Sequence, residues 1–244
     1  KVHHNELQYI TEISLKSPAT MIPQAKNELK RMADMAQENL DRSIKGFLNQ
    51  SDEYLNKIYH REEDINNVSH AITDYLVKSN QLSLPLADQK ILGSMFYVVN
   101  DIERIGDHAE NFADYTKTEL KHNTGLTGDA KEEIKKMYEA VSKLLKLSLE
   151  SFMAQDGVNT QEDKLAEIAA LEASIDKMER RYQKHHIKRL AKGDCEPRAG
   201  LLFSDMLSEL ERIADHSVNI AYSMSDEDED EMLAAENEAL ATNN

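Results

Sequence analysis

Two stretches of this chain repeat each other closely enough to dictate how it folds. Glu103-Arg-Ile-Gly-Asp-His-Ala-Glu-Asn-Phe-Ala and Glu211-Arg-Ile-Ala-Asp-His-Ser-Val-Asn-Ile-Ala agree at seven of eleven positions, at a constant offset of 108. An earlier pair follows the same order: Glu62, Ile65 and Asn66 correspond to Glu172, Ile175 and Asp176 at an offset of 110. Motifs repeated in order at nearly equal spacing indicate duplication of a unit of about 110 residues. The 244-residue chain has room for two such units, each with its own core.

The unit reads as helical. Gly (8) and Pro (4) are scarce, and Ala, Leu, Glu, Lys, Met and Gln dominate, which favours long helices over strands and turns. The prolines, Pro18, Pro23, Pro85 and Pro197, stand near segment starts, where a missing N–H costs nothing. Gly125, Gly128, Gly157 and Gly193 mark loops. Asp129 with Glu132, and Asn159 with Glu162, have the spacing of capping boxes. These signals predict helices at 22–49, 52–79, 86–120, 129–155, 160–192 and 197–224. In the third, Ile91, Met95, Val98, Ile102, Ile105, Ala109 and Phe112 form an apolar stripe, widened by Leu92, Phe96, Val99 and Gly106. A face that broad touches two other helices, and short connections make neighbours antiparallel. The expected fold is all-α: two tandem antiparallel three-helix bundles with six long helices. The expected layout is an N-terminal linker (1–21), a first half (22–120), a second half (129–224) and an acidic, disordered tail (225–244). The ten Met residues, at helical spacing, read as core.

Charge narrows the partners. The formal net charge is −16, and eight of the 45 acids fall in 226–244, leaving 37 acids against 29 bases in the body. Such a body repels a phosphate backbone, which argues against nucleic acid, and attracts cations. The lone Cys195 leaves no internal disulfide and fits a reducing compartment. No apolar run approaches the roughly 20 residues of a membrane span.

The repeated block also carries chemistry. Glu103 and Asp107, four residues apart, stack on one helix face, and Asn111 extends the row; Glu211, Asp215 and Asn219 repeat it. Like charges at this spacing repel, and burial at a helix seam raises the cost. Arg104, Arg212 or neighbouring lysines can compensate, and so can a metal ion. Glu172 and Asp176 form another such pair on the preceding helix, so two rows meeting would make an oxygen-rich cage for a hard ion or carboxylate-bound iron. His108 and His216, about 100° further round, are expected on the polar side, in surface or supporting roles. Arg180, Arg181, Lys184, Lys188, Arg189 and Lys192 make the end of the fifth helix basic. That fits helix-dipole complementarity and solvation, or a patch facing a membrane surface or a partner.

An enzyme is not expected. Ferritin-like di-iron sites place His three residues after Glu, whereas His108 comes five after Glu103. No nucleophile–base pair or Gly-rich phosphate loop is evident.

The block Glu-Arg-x-x-Asp-His-x-x-Asn, present twice, resembles the mark of the PhoU family, and the resemblance covers roughly residues 20–224. His185-His-Ile-Lys-Arg-Leu-Ala-Lys-Gly193 and Ser17-Pro18-Ala19 look more specifically like the PhoU-like domain that follows the membrane part of bacterial sodium/phosphate cotransporters. The resemblance implies a regulatory domain of phosphate homeostasis, cytosolic and at the inner face of the cell membrane. It would be tethered by a transmembrane region preceding Lys1, with the transporter as partner in cis or in trans, or with a second copy of itself. A free-standing PhoU-type regulator and a metal-free helical adaptor are the alternatives. The resemblance further implies multinuclear sites for iron or for zinc, magnesium or manganese. Carried over by position, these use Glu172, Asp176, Glu211 and Asp215 in the second half and Glu62, Asn66, Glu103 and Asp107 in the first, with Asn111 and Asn219 in support. Asn66 stands where the family has Asp, so the first site is expected to be the weaker.

Overall fold

The computed structural model describes residues 7–11, 15, 17–123, 125–154 and 161–224. Its elements are six α-helices: α1 (Pro18–Leu48), α2 (Leu55–Asn80), α3 (Leu86–His122), α4 (Gly128–Ala154), α5 (Gln161–Lys192) and α6 (Pro197–Tyr222). The all-α expectation holds, and most ends fall within two residues of those read from sequence. The exceptions lie at two starts. Helix α1 begins at Pro18, four residues earlier than expected, because Pro18 occupies the first turn and leaves Pro23 to sit inside the helix. Helix α2 begins at Leu55 rather than 52. The cap of α4 also differs: Thr127 Oγ1, not Asp129, accepts from the Ala130 N–H at 3.2 Å. Asn159 and the acidic tail lie outside the described residues.

Helices α1, α2 and α3 pack mutually, and so do α5 with α4 and α6, and α4 with α6. The two sets meet through α3 against α6 and α1 against α4. The stripe of α3 is the spine of the first core: Leu92, Met95, Val98, Val99, Ile102, Ile105, Ala109 and Phe112 are buried, with Ile91 and Phe96 at its edge. Phe203, Met206, Leu207, Leu210, Ile213 and Ile220 do the same in α6. Met21, Met32, Met95, Met137 and Met206 are fully enclosed, as core methionines should be. No helix among the described residues is long and apolar enough to cross a membrane.

Two side-chain bridges join the halves along α1 and α4. Tyr138 of α4 donates its hydroxyl to Asp41 of α1, and Gln37 Nε2 reaches Ser142 Oγ at 2.7 Å. At the N-terminus, the backbone N–H groups of Gln8 and Tyr9 donate to Glu28 Oε2 at 2.9 and 2.7 Å, which lays that segment along α1.

Candidate functional site

The acidic rungs of each repeat face the preceding helix of their own half. On the α2–α3 seam, Glu62 is almost fully buried, and neither carboxyl oxygen has a hydrogen-bond partner; Asn66 Oδ1, one turn on, is buried and unpartnered too. Burial, and then the charges of Asp107, Glu110 and Glu103, push the Glu62 carboxyl up to about 8. Glycine at position 106 gives the carboxylate room: a Cβ there would stand 3.0 Å from Glu62 Oε2 and 3.3 Å from Ile65 Cγ2, a tight approach. Arg104 offers little compensation, since it approaches Asp107 at 3.6 Å with both side chains well exposed.

The α5–α6 seam repeats the theme nearer to solvent. Burial and the neighbouring Asp215, Glu179 and Asp176 push Glu211 up to about 7. Glu172, Glu179 and Asp215 are raised as well, each first by burial and then by Asp176 among the nearby carboxylates. Arg212 turns away, toward Glu209 at 3.8 Å. The arginines of the motif therefore reach only Asp107, at the exposed edge of its row, and leave Glu62 and Glu211 without a cation partner among the described residues.

Glu110 and Glu179 join the clusters without having been singled out from sequence. Each stands seven residues after a candidate ligand, Glu103 and Glu172, two helical turns along the same face, and that spacing was the available signal. Among the described residues, no three His, Cys, Asp or Glu side chains converge closely enough, as placed, to hold an ion. The arrangement is a loose gathering of repelling carboxyls whose electrostatic strain a cation would relieve.

Three expectations need correction. His108 is buried rather than on the polar side, and its Nδ1 meets the Glu209 carboxylate of the other half. His216 likewise reaches back to Asp101 at 2.8 Å. Asn111 and Asn219 do not support the acidic rows: Asn111 Nδ2 donates to Glu209 at 3.0 Å, and Asn219 Nδ2 approaches Asp101 at 3.4 Å. A net rotation of about 40° past Asp107 and Asp215 has carried them from the intra-half seam to the α3–α6 contact. The signal for these partners was present, because Asp101 and Glu209 are themselves separated by 108 and lie two residues ahead of each motif.

The basic end of α5 also divides. Arg189 Nη2 binds Glu133 Oε2 of α4 at 2.8 Å, beside His185 Nδ1 on Glu133 Oε1 at 2.6 Å, and the Arg189 guanidinium lies over Phe203. Arg181 rests on the Tyr182 ring. Lys184, Lys188 and Lys192 are exposed.

Family comparison agrees with the duplication. The PhoU domain model matches the chain twice, at residues 29–116 and 134–224. The chain belongs to the PhoU family. Two curated relatives are similar to it: the phosphate-specific transport system accessory protein PhoU homolog 1 of Thermotoga maritima and the PhoU homolog of Clostridium acetobutylicum. The first is 20% identical across 80% of this chain and 82% of its own length. The second is 23% identical across 81% and 87%. Among solved structures, PhoU from Pseudomonas aeruginosa superposes with a TM-score of 0.73 at 20% identity, covering 82% of this chain and 93% of its own. The phosphate transport system regulatory protein PhoU from Streptococcus pneumoniae gives 0.74 at 20% identity, covering 86% and 97%. Each PhoU repeat ends on the helix that carries one copy of the acidic block.

Proposed function

We propose that this PhoU-family chain regulates phosphate transport by contact with a membrane transporter, and that cations held on its two acidic seams bias that contact. The observation that carries the metal part is the Glu62 carboxyl, buried with both oxygens unpartnered among Asp107, Glu110 and Glu103. Such a group is stabilised by a proton or by a hard cation. Glu62, Asn66, Glu103 and Asp107 would hold the ion in the first half, and Glu172, Asp176, Glu211 and Asp215 in the second. An all-oxygen donor set suits iron, manganese or magnesium, and carboxylates also take zinc. Bound ions would neutralise the rows and draw α2 to α3, and α5 to α6; a partner preferring one spacing would then bind the loaded and empty forms unequally.

The free-standing accessory protein is the better-supported form of this reading. Relatives named for that role align over most of their own length. The cotransporter reading leans on the segment from His185 to Gly193, whose His185 and Arg189 have a packing task at Glu133. The full reading frame around this chain distinguishes the two.

Elemental analysis of protein purified without chelators, joined to thermal melts with and without added Fe(II), Mn(II), Zn(II) or Mg(II), tests the metal part. Bound metal and a raised melting temperature are expected, and both should fall in Glu211→Gln and Asp215→Asn. Absence of both would favour a metal-free adaptor. Labelled-phosphate uptake in cells carrying a deletion of the gene, with and without the same variants, tests the regulatory part.

A further inference from the structure

The outward face of α5 differs from the rest of this acidic molecule. Lys177, Arg180, Lys184, Ile187 and Lys188 lie within an arc of about 100°, and every one is exposed. Ile187 is 62% exposed in their midst, and Leu190 borders it. On the neighbouring helix Leu201 is 66% exposed. The pairing of Gln183 with Ser204 at 3.0 Å, and of His186 with Phe203, sets the register that brings Leu201 to the same end of the hairpin.

Neither the fold nor solubility requires these residues. A chain of net charge −16 has no need of more surface cations to stay in solution. The first half supplies an internal comparison at the offset of 110. There the same face carries Asn67, His70, Asp74, Val77 and Lys78, so an equivalent helix is built with almost no net charge. Arg181 and Arg189 are spoken for by Tyr182 and Glu133, whereas Lys184, Lys188 and Lys192 form no ion pair among the described residues.

The face is the convex outside of a helix rather than a groove that would seat a peptide. The hollow beside it has a mixed lining, Asp129, Glu132 and Glu133 against Lys136, His185, Lys188 and Arg189, and so offers an acidic segment no one-signed complement. Cations with long aliphatic stems around large exposed apolar side chains match the headgroup layer of an anionic bilayer, where ammonium groups meet phosphates and apolar tips reach the acyl boundary. We propose that this face of α5, with Leu201, is a docking surface for anionic membrane, binding reversibly and independently of the acidic seams.

Sedimentation of the full chain with vesicles tests it, using phosphatidylcholine alone or mixed with phosphatidylglycerol, at low and high salt. Binding is expected only to the mixed vesicles and should fade as salt rises. Each basic residue near such a surface contributes about fivefold in partitioning, so Lys184→Glu with Lys188→Glu should lower binding by well over tenfold. Ile187→Ser with Leu201→Ser should also weaken it, with helicity checked by circular dichroism. Equal binding to neutral vesicles, no binding to mixed ones, or binding that survives the charge reversal would each overturn the proposal. So would capture of an acidic protein segment by this face in the absence of lipid binding. Metal content and phosphate uptake do not enter these readouts, so the regulatory reading stands or falls separately.

Discussion

His108 and His216 stand with ring centroids 5.8 Å apart, each bonded through Nδ1 to a carboxylate on the other's helix. Carboxylates only accept, so both imidazoles carry their proton on Nδ1. The partners Glu209 and Asp101 are themselves repeat equivalents, and the crossing is that of two antiparallel helices related by a local two-fold. Tyr115 and Asn111 add to the Glu209 side, which is the more buried.

Removing one partner of a buried pair leaves the other uncompensated. His108→Ala should therefore cost about 3 kcal/mol in chemical denaturation, and His216→Ala, at the more exposed pair, about 1 kcal/mol. Despite the upward push of burial, the bonds from His108 and Asn111 hold the Glu209 carboxyl below its ordinary 4.5. Its contribution is therefore complete above that value and lost as pH falls through the lower folded one. Wild-type stability should fall more steeply than that of Glu209→Gln below about pH 4.5.

Glu62 has the opposite sign. Its carboxyl is raised from 4.5 to about 8 in the folded chain, so folding favours the protonated form. Stability from this group is complete below 4.5 and declines as pH rises toward 8. Glu62→Gln should be nearly neutral at pH 5 and stabilising at pH 9, by on the order of 2 kcal/mol after relaxation. Melts across that pH range read it directly, and an added divalent ion should shrink the difference by stabilising the wild type at high pH.

Asn66→Asp separates ion binding from stability in a single variant. A second carboxyl beside Glu62 adds repulsion, so the chelated protein should melt lower than wild type at pH 8, by about 1 kcal/mol or more. Calorimetric titration should show the first half binding divalent ions about tenfold more tightly, since the added charge balances the cation. The wild-type second half should be the tighter of the two sites.

Gly200→Ala tests the packing of α6 against α5. Alanine is the better helix former by up to about 1 kcal/mol. Its Cβ would, however, stand 2.2 Å from His186 Cε1 and 2.6 Å from Nε2, in a ring that is buried against Phe203. A net loss of about 1–3 kcal/mol in denaturant melts is expected. Gly93→Ala, with nothing near its Cβ, should instead gain.

The helices were legible because their signals are local. The apolar stripe of α3, the prolines at segment starts and the glycines in loops are all written within a few residues of where they act. The duplication likewise gave the two acidic seams, since the repeat names which carboxylates share a face. What could not be read was the direction of the shoulder residues. Asn111 and His108 lie 40° and 100° beyond Asp107 on an ideal helix. Whether that sector meets solvent, α2 or α6 depends on how two bundles dock, a contact set partly by Tyr138 on Asp41 far along the chain. The same distance hid the role of Glu133, whose bonds to His185 and Arg189 turn part of a basic stripe inward.

The exchange of partners across the local two-fold has a genetic consequence. Each histidine is encoded in one copy of the repeat and its carboxylate in the other. Neither copy can lose Asp101, His108, Glu209 or His216 without exposing a fault in its twin. After duplication the two copies were free to diverge in surface charge, as α2 and α5 have, whereas a change at this crossing in one copy is felt by the other.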